Sequence, residues 1–375
     1  MTSSRRLETL IELCNLPTAP FHEENVIHYL EQRLAALPHV TQRRDQHGNI
    51  IAHYRHEREV ARPLALTGHM DHPGFHVLQG GVGVIEVEFL GYVMDEYYPG
   101  SVARFFPGEV RGVVREMLTK PGLRPKRFQV EVEQEVPTGA FGQWELPPAV
   151  LADGRAHLPA ADDLAGVAAI ISALEEVALA EIPAEFYALF TRAEEIGFGG
   201  ALGFCMERPL PDNIVMLAVE TSKETPVARI GSGAIIRTGD RLSVFDNAAT
   251  RLLVKVAEKI SRKNPEFRYQ RALMDGGTCE STAYQQFGWT SAALCMALDN
   301  YHNMGPDNRI APEVISLADY EGLVEFFSAA VVSELTVDSA RTAHQASLRE
   351  IYDKWGPRLQ STAADLKPIS HDDRS

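Results

Sequence analysis

HLPAADDLAGVAAIISALEEV, residues 157–177, places a polar turn with two adjacent carboxylates directly before an apolar, alanine-rich helix. We expect Asp162 to point from the helix start towards a cation, and Asp163 to cap free amide groups of the first helical turn. An aspartate in this position can bridge two metal ions. Two aspartates before a helix more often form a simple N-terminal cap, so the interpretation depends on the sequence on either side.

The composition is typical of a folded globular protein. The chain has 375 residues, of which 45% are hydrophobic and 23% charged, and this length allows two domains or one large core with an insertion. A net charge of −15 argues against a nucleic-acid surface, because phosphate binding needs clustered lysine and arginine. No stretch reaches the roughly 18 uninterrupted apolar residues of a membrane span. We therefore expect a cytoplasmic protein that binds neither nucleic acid nor membranes.

Apolar strands alternate with helices over most of the chain, which predicts an α/β fold with a mainly parallel sheet flanked by helices. Residues 73–155 differ, because short segments of alternating apolar and polar residues are separated by Gly and Pro, which predicts an inserted all-β domain. The predicted organisation is a first part of the α/β domain (1–72), the insertion (73–155), the second part of the α/β domain (156–335) and a C-terminal extension (336–375). The extension is predicted to contain one helix and a disordered tail from residue 361. The individual predictions outside the insertion are strands at 185–191, 213–219 and 289–297, and helices at 248–263 and 315–334.

Side chains that suit a metal ion follow four of the predicted strands. His69, Glu195, Glu220 and His302 each lie at or just beyond the end of an apolar run. Because open α/β sheets bind ligands at the carboxyl ends of their strands, we expect these side chains to converge with Asp162. Imidazole nitrogen and carboxylate oxygen suit zinc, cobalt or manganese, and five ligands suffice for two ions about 3.5–4 Å apart if one bridges them. The four cysteines lie singly, without a C-x-x-C pair, so we expect neither disulfides nor thiolate ligands.

Five segments resemble, in order, the motifs of one known family, the dinuclear glutamyl and tetrahedral aminopeptidases, some of which have carried the label endoglucanase. DQHGNIIA (45–52) is similar to its D-x-x-G-N strand, GHMDHPGF (68–75) to A-H-M-D-E-I-G-F, and AADDLAGV (160–167) to A-L-D-D-R-x-G-V. TRAEEIGFGGA (191–201) resembles T-x-x-E-E-x-G-x-x-G-A, and NYHNMG (300–305) stands where the family has R-Y-x-H-S. The resemblance runs from about residue 5 to residue 332.

The resemblance implies a metal-dependent aminopeptidase that hydrolyses the N-terminal residue of short peptides through a water bridged by two divalent metal ions. His69, Asp162 and Glu220 would hold one ion. Asp162, Glu195 and His302 would hold the other, so that Asp162 bridges the two. Zinc is the first choice for both ions, with cobalt or manganese as alternatives.

The resemblance also implies roles for two further carboxylates. Asp71 would accept a hydrogen bond from the His69 imidazole and fix the orientation of the ring. Glu194 would be the general base that takes a proton from the water and passes it to the departing amine. Of the remaining histidines, His72 is the most interesting, because it directly follows Asp71.

The chain departs from the family pattern at four positions. Glu220 replaces the more usual aspartate, and Leu164 stands where arginine is common. Cys279 stands where the family tends to have aspartate, and Asn303 follows the histidine motif in place of serine. We expect these four positions to affect the shape and polarity of the pocket and to leave the number of ions unchanged. Whether they impair the activity or redirect it to another substrate is left open by the sequence.

Three other functions are compatible with parts of this pattern. Deacylases and carboxypeptidases share the catalytic domain, but their insertion is usually α/β rather than all-β. A glycosidase needs two carboxyl groups roughly 5–9.5 Å apart around a sugar, and the one dense aromatic run, EYYPGSVARFF (96–106), lies in the insertion. A metal-binding assembly protein without activity is the third. The resemblance further implies a homo-oligomer, from a dimer up to a dodecamer, assembled through the insertion.

Overall fold

The computed structural model describes residues 3–120 and 122–363 and, within them, eight α-helices and seventeen β-strands. The helices are α1 (Ser3–Cys14), α2 (Glu24–Ala35), α3 (Leu164–Leu179), α4 (Gly199–Glu207), α5 (Asn247–Lys263), α6 (Glu280–Gln286), α7 (Leu317–Val331) and α8 (Val337–Ala363). The strands are β1 (Val40–Arg44), β2 (Ile50–His56), β3 (Leu64–His69), β4 (Gly74–Gln79), β5 (Gly81–Leu90), β6 (Val102–Phe106), β7 (Val110–Met117), β8 (Lys126–Val136), β9 (Phe141–Trp144), β10 (Val150–Ala152), β11 (Arg155–Leu158), β12 (Ala184–Thr191), β13 (Val215–Lys223), β14 (Ala234–Gly239), β15 (Tyr269–Leu273), β16 (Thr290–Asp299) and β17 (Glu313–Ser316).

Eleven strands form one large mixed sheet in the order β1-β2-β12-β3-β13-β16-β17-β11-β10, with β14 beside β16 and β15 beside β14. The four central strands β12, β3, β13 and β16 are parallel to one another, as are β14 and β15, and the remaining pairs are antiparallel. The prediction of a mainly parallel sheet is therefore wrong for the outer strands. A short turn accounts for one of these pairs: Asp153 and Gly154, both with positive φ (50° and 74°), form a two-residue hairpin between β10 and β11.

The predicted strands of the α/β part correspond to β12, β13 and β16, and the two predicted helices correspond to α5 and α7. In the sheet, β3 and β13 lie side by side between β12 and β16. Because these four strands are parallel, the residues at their carboxyl ends lie along one edge of the sheet. This edge receives His69, which ends β3, and the loops that follow β12 and β16.

Helix α3 is the central helix of the largest apolar core. Fourteen of its sixteen residues are buried, and it contacts α1 and α7 as well as strands β3, β12 and β13. A helix that is apolar on all sides is stable only in such a position. Truncation of Ile170 or Leu174 to alanine would cost about 2–5 kcal/mol of stability. The start of α3, and with it Asp162, is therefore held by the best-packed part of the protein.

Strands β4 to β9 form a closed six-stranded barrel in the order β4-β5-β8-β7-β6-β9, which spans residues 74–144. The barrel has an apolar core of its own, in which the Phe75 ring lies 4.9 Å, centroid to centroid, from the rings of both Phe89 and Trp144. The range predicted for the insertion, 73–155, also contains β10, but β10 pairs with β11 in the large sheet. We therefore propose that the insertion is the barrel and that it ends before Val150.

Helix α8 forms most of the predicted C-terminal extension, and only Val337, Ala340 and Gly356 are buried along its 27 residues. Ser361–Ala363, the start of the segment predicted as a disordered tail, are helical, and the rest of that segment lies outside the described residues. Within the part of the chain that the structure describes, no helix is both long and apolar enough to cross a membrane.

Candidate metal centre

The five side chains predicted as metal ligands lie together at the carboxyl edge of the central strands. Nε2 of His69 lies 3.4 Å from Oδ1 of Asp162 and 3.5 Å from Oε1 of Glu220. Nε2 of His302 lies 3.4 Å from Oδ2 of Asp162 and 3.2 Å from Oε1 of Glu195. The two carboxylate oxygens of Asp162 thus face different histidines. All five side chains are at most 8% exposed.

Main-chain carbonyl groups orient both imidazole rings. Nδ1 of His302 donates to the carbonyl of Tyr92 (2.6 Å), and Nδ1 of His69 donates to the carbonyl of Asp71 (3.1 Å). Because a carbonyl can only accept, Nδ1 carries the hydrogen in both rings, and in the neutral imidazole Nε2 is left with its lone pair. The ring nitrogens that face the carboxylates are therefore the ones able to bind a cation.

Asp71 accepts the hydrogen bond of His69 through its main-chain carbonyl rather than through the carboxylate that the prediction assigned to this role. Its nearer carboxylate oxygen lies 3.6 Å from Nδ1 of His69, and the main-chain carbonyl accepts the bond instead. The carboxylate accepts from the amides of Glu194 (2.9 Å) and Glu195 (3.1 Å). Asp71 thus connects the end of β3 to the turn after β12 and fixes the position of both glutamates.

Glu194 lies at the margin of the ligand group. Its Oε2 is 4.0 Å from Nε2 of His69, and its side chain is 11% exposed. The adjacent Glu195 faces His302, as described above. The two consecutive glutamates therefore occupy different positions, one within the ligand group and one beside it.

Glu313 is a residue that the sequence reasoning missed. Its side chain is fully buried, and Oε2 accepts from the amides of Ala161 (2.6 Å) and Asp162 (3.0 Å) while Oε1 accepts from the amide of His302 (2.8 Å). Glu313 therefore holds the main chain at Asp162 and at His302, two residues whose side chains face each other. A signal exists in the sequence: Glu313 is the single charged residue of the apolar strand EVIS.

His72 and Asn303 support the same two segments. Nδ1 of His72 donates to the carbonyl of Asp162 (2.6 Å), and Nε2 is 2.9 Å from the side-chain oxygen of Asn303. The amide nitrogen of Asn303 donates to the carbonyl of Pro159 (2.9 Å). The asparagine that replaces the family's serine thus has a structural role. Two other departures, Leu164 and Cys279, are fully buried.

The predicted capping role of Asp163 is wrong. Asp163 precedes α3, but its side chain makes no capping hydrogen bond to the helix. Its Oδ1 accepts from the hydroxyl of Thr221 on β13 (3.0 Å) instead. The carboxylate lies so close to α3 that a Cβ atom at Gly166 would collide with it, which explains the glycine of the motif.

Negative charge is in excess around the two histidines. Burial raises the pKa of Glu194 and of Glu220 well above the ordinary value, and the neighbouring carboxylates raise both further. Burial alone would lower the pKa of His69 and of His302, but the carboxylates around them outweigh it, so both are raised well above the ordinary value. Burial opposes ionisation of Asp162, yet the two imidazoles hold its pKa far below the ordinary value. A cation at this position would balance the excess.

The ligand group opens onto a cleft of about 490 Å³. Tyr92, from the barrel, lines one part of this cleft, and Arg237, from β14, lines another. Arg237 is 1% exposed; its Nη1 donates to Ser222 (3.0 Å), while its Nε has no hydrogen-bond partner among residues 3–120 and 122–363. The cleft thus combines a cluster of carboxylates with one buried positive charge.

Comparisons with known proteins agree with this fold. The profile of the M42 glutamyl aminopeptidase family matches residues 48–325. No curated protein gave a significant match. Among solved structures, the TET1 peptidase of Pyrococcus horikoshii, described as assembling into a tetrahedron or a large octahedral shell, has a TM-score of 0.72 at 20% identity over 88% of this chain and 100% of that chain.

Two further structures are similar to the chain. An aminopeptidase of the archaeon Desulfurococcus kamchatkensis has a TM-score of 0.73 at 19% identity over 91% of this chain and 98% of that chain. A protein of Thermotoga maritima described as an endoglucanase has a TM-score of 0.63 at 22% identity over 86% of this chain and 96% of that chain. At these identities the structures establish the shared fold. Because the family profile matches well over half of its length, the chain belongs to the M42 glutamyl aminopeptidase family of metal-dependent peptidases, as its motifs predict.

Proposed function

We propose that this chain is an aminopeptidase that removes the N-terminal residue from short peptides, with a water bridged by two divalent metal ions. The observation that carries the proposal is the arrangement around Asp162, which presents one oxygen to each of two histidines. Each histidine has a second carboxylate within 3.5 Å, from Glu220 for His69 and from Glu195 for His302. Membership of the M42 family supports peptide hydrolysis as the reaction.

The residues present fit two divalent ions. Tetrahedral zinc with bonds of 2.0–2.1 Å places neighbouring ligand atoms about 3.3 Å apart, and the four histidine–carboxylate separations are 3.2–3.5 Å. Oδ1 of Asp162 and Oε1 of Glu195 are buried but accept no hydrogen bond from the residues that the structure describes. Buried polar atoms without partners are rare, and a cation would satisfy both. Zinc is our first assignment, and the same ligands also suit cobalt or manganese.

His69, Asp162 and Glu220 would hold one ion, and Asp162, Glu195 and His302 the other. Divalent ions held by these residues would supply Lewis-acid chemistry, which would lower the pKa of a bound water and polarise the carbonyl of the bond to be cleaved. Glu194 is the general base in this proposal, because its carboxylate lies beside the ligand group and Asp71 fixes its main chain. Glu194 takes the proton of the water and returns it to the departing amine.

The size of the cleft supports a small substrate. A volume of about 490 Å³ lies within the usual range of small-molecule sites. Tyr92 of the barrel borders the same space. The barrel therefore restricts the approach to the cleft, which favours short peptides over folded proteins.

We also infer a homo-oligomer, with the barrel as an inserted domain between the two parts of the catalytic domain. The barrel exposes apolar side chains that a contact between copies would cover, among them Val82, Val84 and Leu123, which are 57–65% exposed. The Pyrococcus horikoshii peptidase is described as able to assemble into a tetrahedron or a large octahedral shell. Light scattering on the purified chain will give the number of copies, which we expect to lie between two and twelve, and a monomer would contradict this inference.

The substrate class is tested with a panel of aminoacyl anilides and their N-acetylated counterparts, each with added zinc, cobalt or manganese. We expect cleavage of the free-amine substrates only. Cleavage of the blocked substrates would instead support a deacylase, and the absence of cleavage in a metal-loaded sample would leave only a metal-binding protein.

The general base is tested with Glu194→Gln. We expect kcat to fall by about 10³-fold, since a positioned base contributes roughly 10²–10⁴-fold, while the metal content stays the same. Glu207→Gln makes the same chemical change at an exposed residue of α4 and serves as the matched control. Unchanged turnover in Glu194→Gln would refute the assignment.

A further inference from the structure

Helix α8 extends away from the rest of the protein. Its first turn is held in the large apolar core by Val337 and Ala340. From Arg341 to Ala363, Gly356 is the one buried residue and His344 the one half-buried residue, and all others are exposed. At about 1.5 Å per residue, this part of the helix is roughly 35 Å long. It has almost no contact with the domain from which it starts.

A helix of this kind needs a partner to be stable. Isolated helices are marginal in water even when their sequence favours helix formation. Here the exposed part contains Gly356 and Pro357 in succession, and these are the two poorest helix formers. The helix therefore has an unfavourable intrinsic stability that packing against another surface must offset.

One face of α8 is apolar. Leu348, Tyr352, Trp355 and Leu359 follow one another at spacings of four, three and four residues, and Ile351 lies beside them. These five side chains are 47–67% exposed. Their spacing is that of alternating a and d positions of a heptad repeat, which is the pattern of a helix that pairs with another helix.

The apolar face is complementary to itself in the antiparallel direction. A two-fold axis between positions 353 and 354 places Leu348 opposite the partner's Leu359, and Tyr352 opposite the partner's Trp355, so that each a position packs against a d position. In this register the partner's Arg358 lies at the level of Arg349 but on the other flank of the contact, and the nearest partner residue on the same flank as Arg349 is Gly356.

The area is sufficient for a specific contact. Half-exposed side chains of these types offer roughly 100 Å² each. Five from each chain would cover about 1,000 Å², which meets the approximate threshold for a biological interface and corresponds to a weak dimer. We propose that the apolar face of α8 is a dimerisation surface, and that its partner is the same helix of a second copy in an antiparallel pair.

This contact is separate from the function proposed above. The family profile ends at residue 325, before α8 begins. The Pyrococcus horikoshii peptidase is covered over its whole length while 88% of this chain is covered, so this chain has additional residues. The pairing would join two copies through a helix that lies beyond the end of the matched family profile.

Cysteine cross-linking tests the pairing and its direction in the full chain. In Leu348→Cys/Leu359→Cys, each new cysteine lies opposite its counterpart in the partner, and the two are roughly 16 Å apart within one helix, too far for an internal disulfide. The four native cysteines are buried and do not interfere. After mild oxidation at micromolar concentration, we expect a covalent dimer on a non-reducing gel that reduction converts back to monomer.

The matched control is Ala346→Cys/Ser361→Cys. The same two-fold axis relates these two positions, but they lie on the opposite face of α8. We expect at least tenfold less covalent dimer from this variant. Leu348→Cys and Leu359→Cys should each stay monomeric alone and cross-link when mixed. Cross-linking by Leu348→Cys alone would indicate a parallel pair and overturn the register, and equal cross-linking by both double variants would overturn the surface.

A second pair of variants covers the case in which the cysteine substitutions weaken the contact. Leu348→Glu/Trp355→Glu and Ala346→Glu/Gln360→Glu add the same charge on opposite faces of α8. We expect sedimentation to show at least a twofold lower mass for the first variant and an unchanged mass for the second. If neither variant changes the mass and the double-cysteine variant forms no covalent dimer, α8 does not pair with itself.

Discussion

The substitution Glu313→Gln should weaken one of the two proposed metal positions more than the other, although Glu313 is a ligand at neither of them. The carboxylate of Glu313 accepts two amide hydrogens at Oε2, from Ala161 and Asp162, and one at Oε1, from His302. Glutamine has the same shape, but one of its two terminal atoms is a donor. Because two amides face one side and a single amide the other, we expect the glutamine oxygen to stay with Ala161 and Asp162. The NH₂ group then meets the amide of His302.

The expected cost follows from the bonds involved. A hydrogen bond to a charged acceptor contributes about 1.5–3 kcal/mol, and here one such bond is replaced by two donors that face each other in a fully buried position. We expect a loss of about 2 kcal/mol, which is roughly 30-fold in affinity, at the position that includes His302. At the position that includes His69 and Glu220 we expect the metal affinity to fall only a few-fold, because the amide of Asp162 keeps its hydrogen bond to residue 313.

Competition between the protein and a chelator, followed by titration with zinc, measures the two affinities separately. Glu334→Gln, at an exposed residue beyond α7, is the matched control and should leave both affinities unchanged. Thermal unfolding of the metal-free protein checks that Glu313→Gln is folded. The reasoning is refuted if both positions weaken equally, or if the position of His69 weakens more.

Three more predictions follow from the contacts of the site and the core. Asp71→Asn should lower kcat by about 10–100-fold with retained zinc content, because its carboxylate holds the amides of Glu194 and Glu195 while its carbonyl orients His69; loss of zinc would contradict this division of roles. The carboxylates around His69 and His302 outweigh burial and raise the pKa of both rings in the metal-free protein, so zinc competes with a proton for Nε2 of each ring. Zinc affinity should therefore rise with pH, and calorimetry in buffers of different ionisation enthalpy should detect proton release at pH 7; binding without release would be inconsistent with the raised values. Arg33→Met should lower the free energy of unfolding by about 3 kcal/mol in a denaturant titration, because it leaves Glu175 of α3 buried without the arginine that binds both of its carboxylate oxygens. The control Arg44→Met removes an exposed ion pair with Glu31 and should cost less than about 1 kcal/mol in the same titration.

The elements that place the site are predictable because their signal is local. The runs at 185–191, 213–219 and 289–297 are apolar, of strand length and bounded by polar residues, and each forms a central strand of the sheet. Residues at the ends of adjacent parallel strands must come together, so the five candidate ligands could be named from order and position alone. The roles assigned to them remain predictions.

The parts that escaped prediction depend on contacts between distant segments. Nothing in the sequence around Glu313 indicates that its carboxylate accepts amides from residues about 150 and 11 positions away. Asp71 lies two residues from His69, but whether its carbonyl or its carboxylate meets the ring depends on the turn after β12, which supplies competing donors. The outer strands appeared parallel for a similar reason, because pairing direction depends on which strand is the neighbour in the sheet.

The hydrogen bond from His302 to the carbonyl of Tyr92 gives the barrel a mechanical connection to the metal centre. The same loop is held twice more, by the Tyr97 hydroxyl on the carbonyl of Gly305 (3.0 Å) and by the amide of Met94 on the sulfur of Met304 (3.4 Å). A barrel that shifts or loosens will release the imidazole from its orientation and weaken its hold on a cation. By thermodynamic reciprocity, the cation must steady the barrel by the same free energy. Stripping the ion should therefore speed amide hydrogen exchange in β5 and β6, so that the stability of the barrel depends on the metal content of the site.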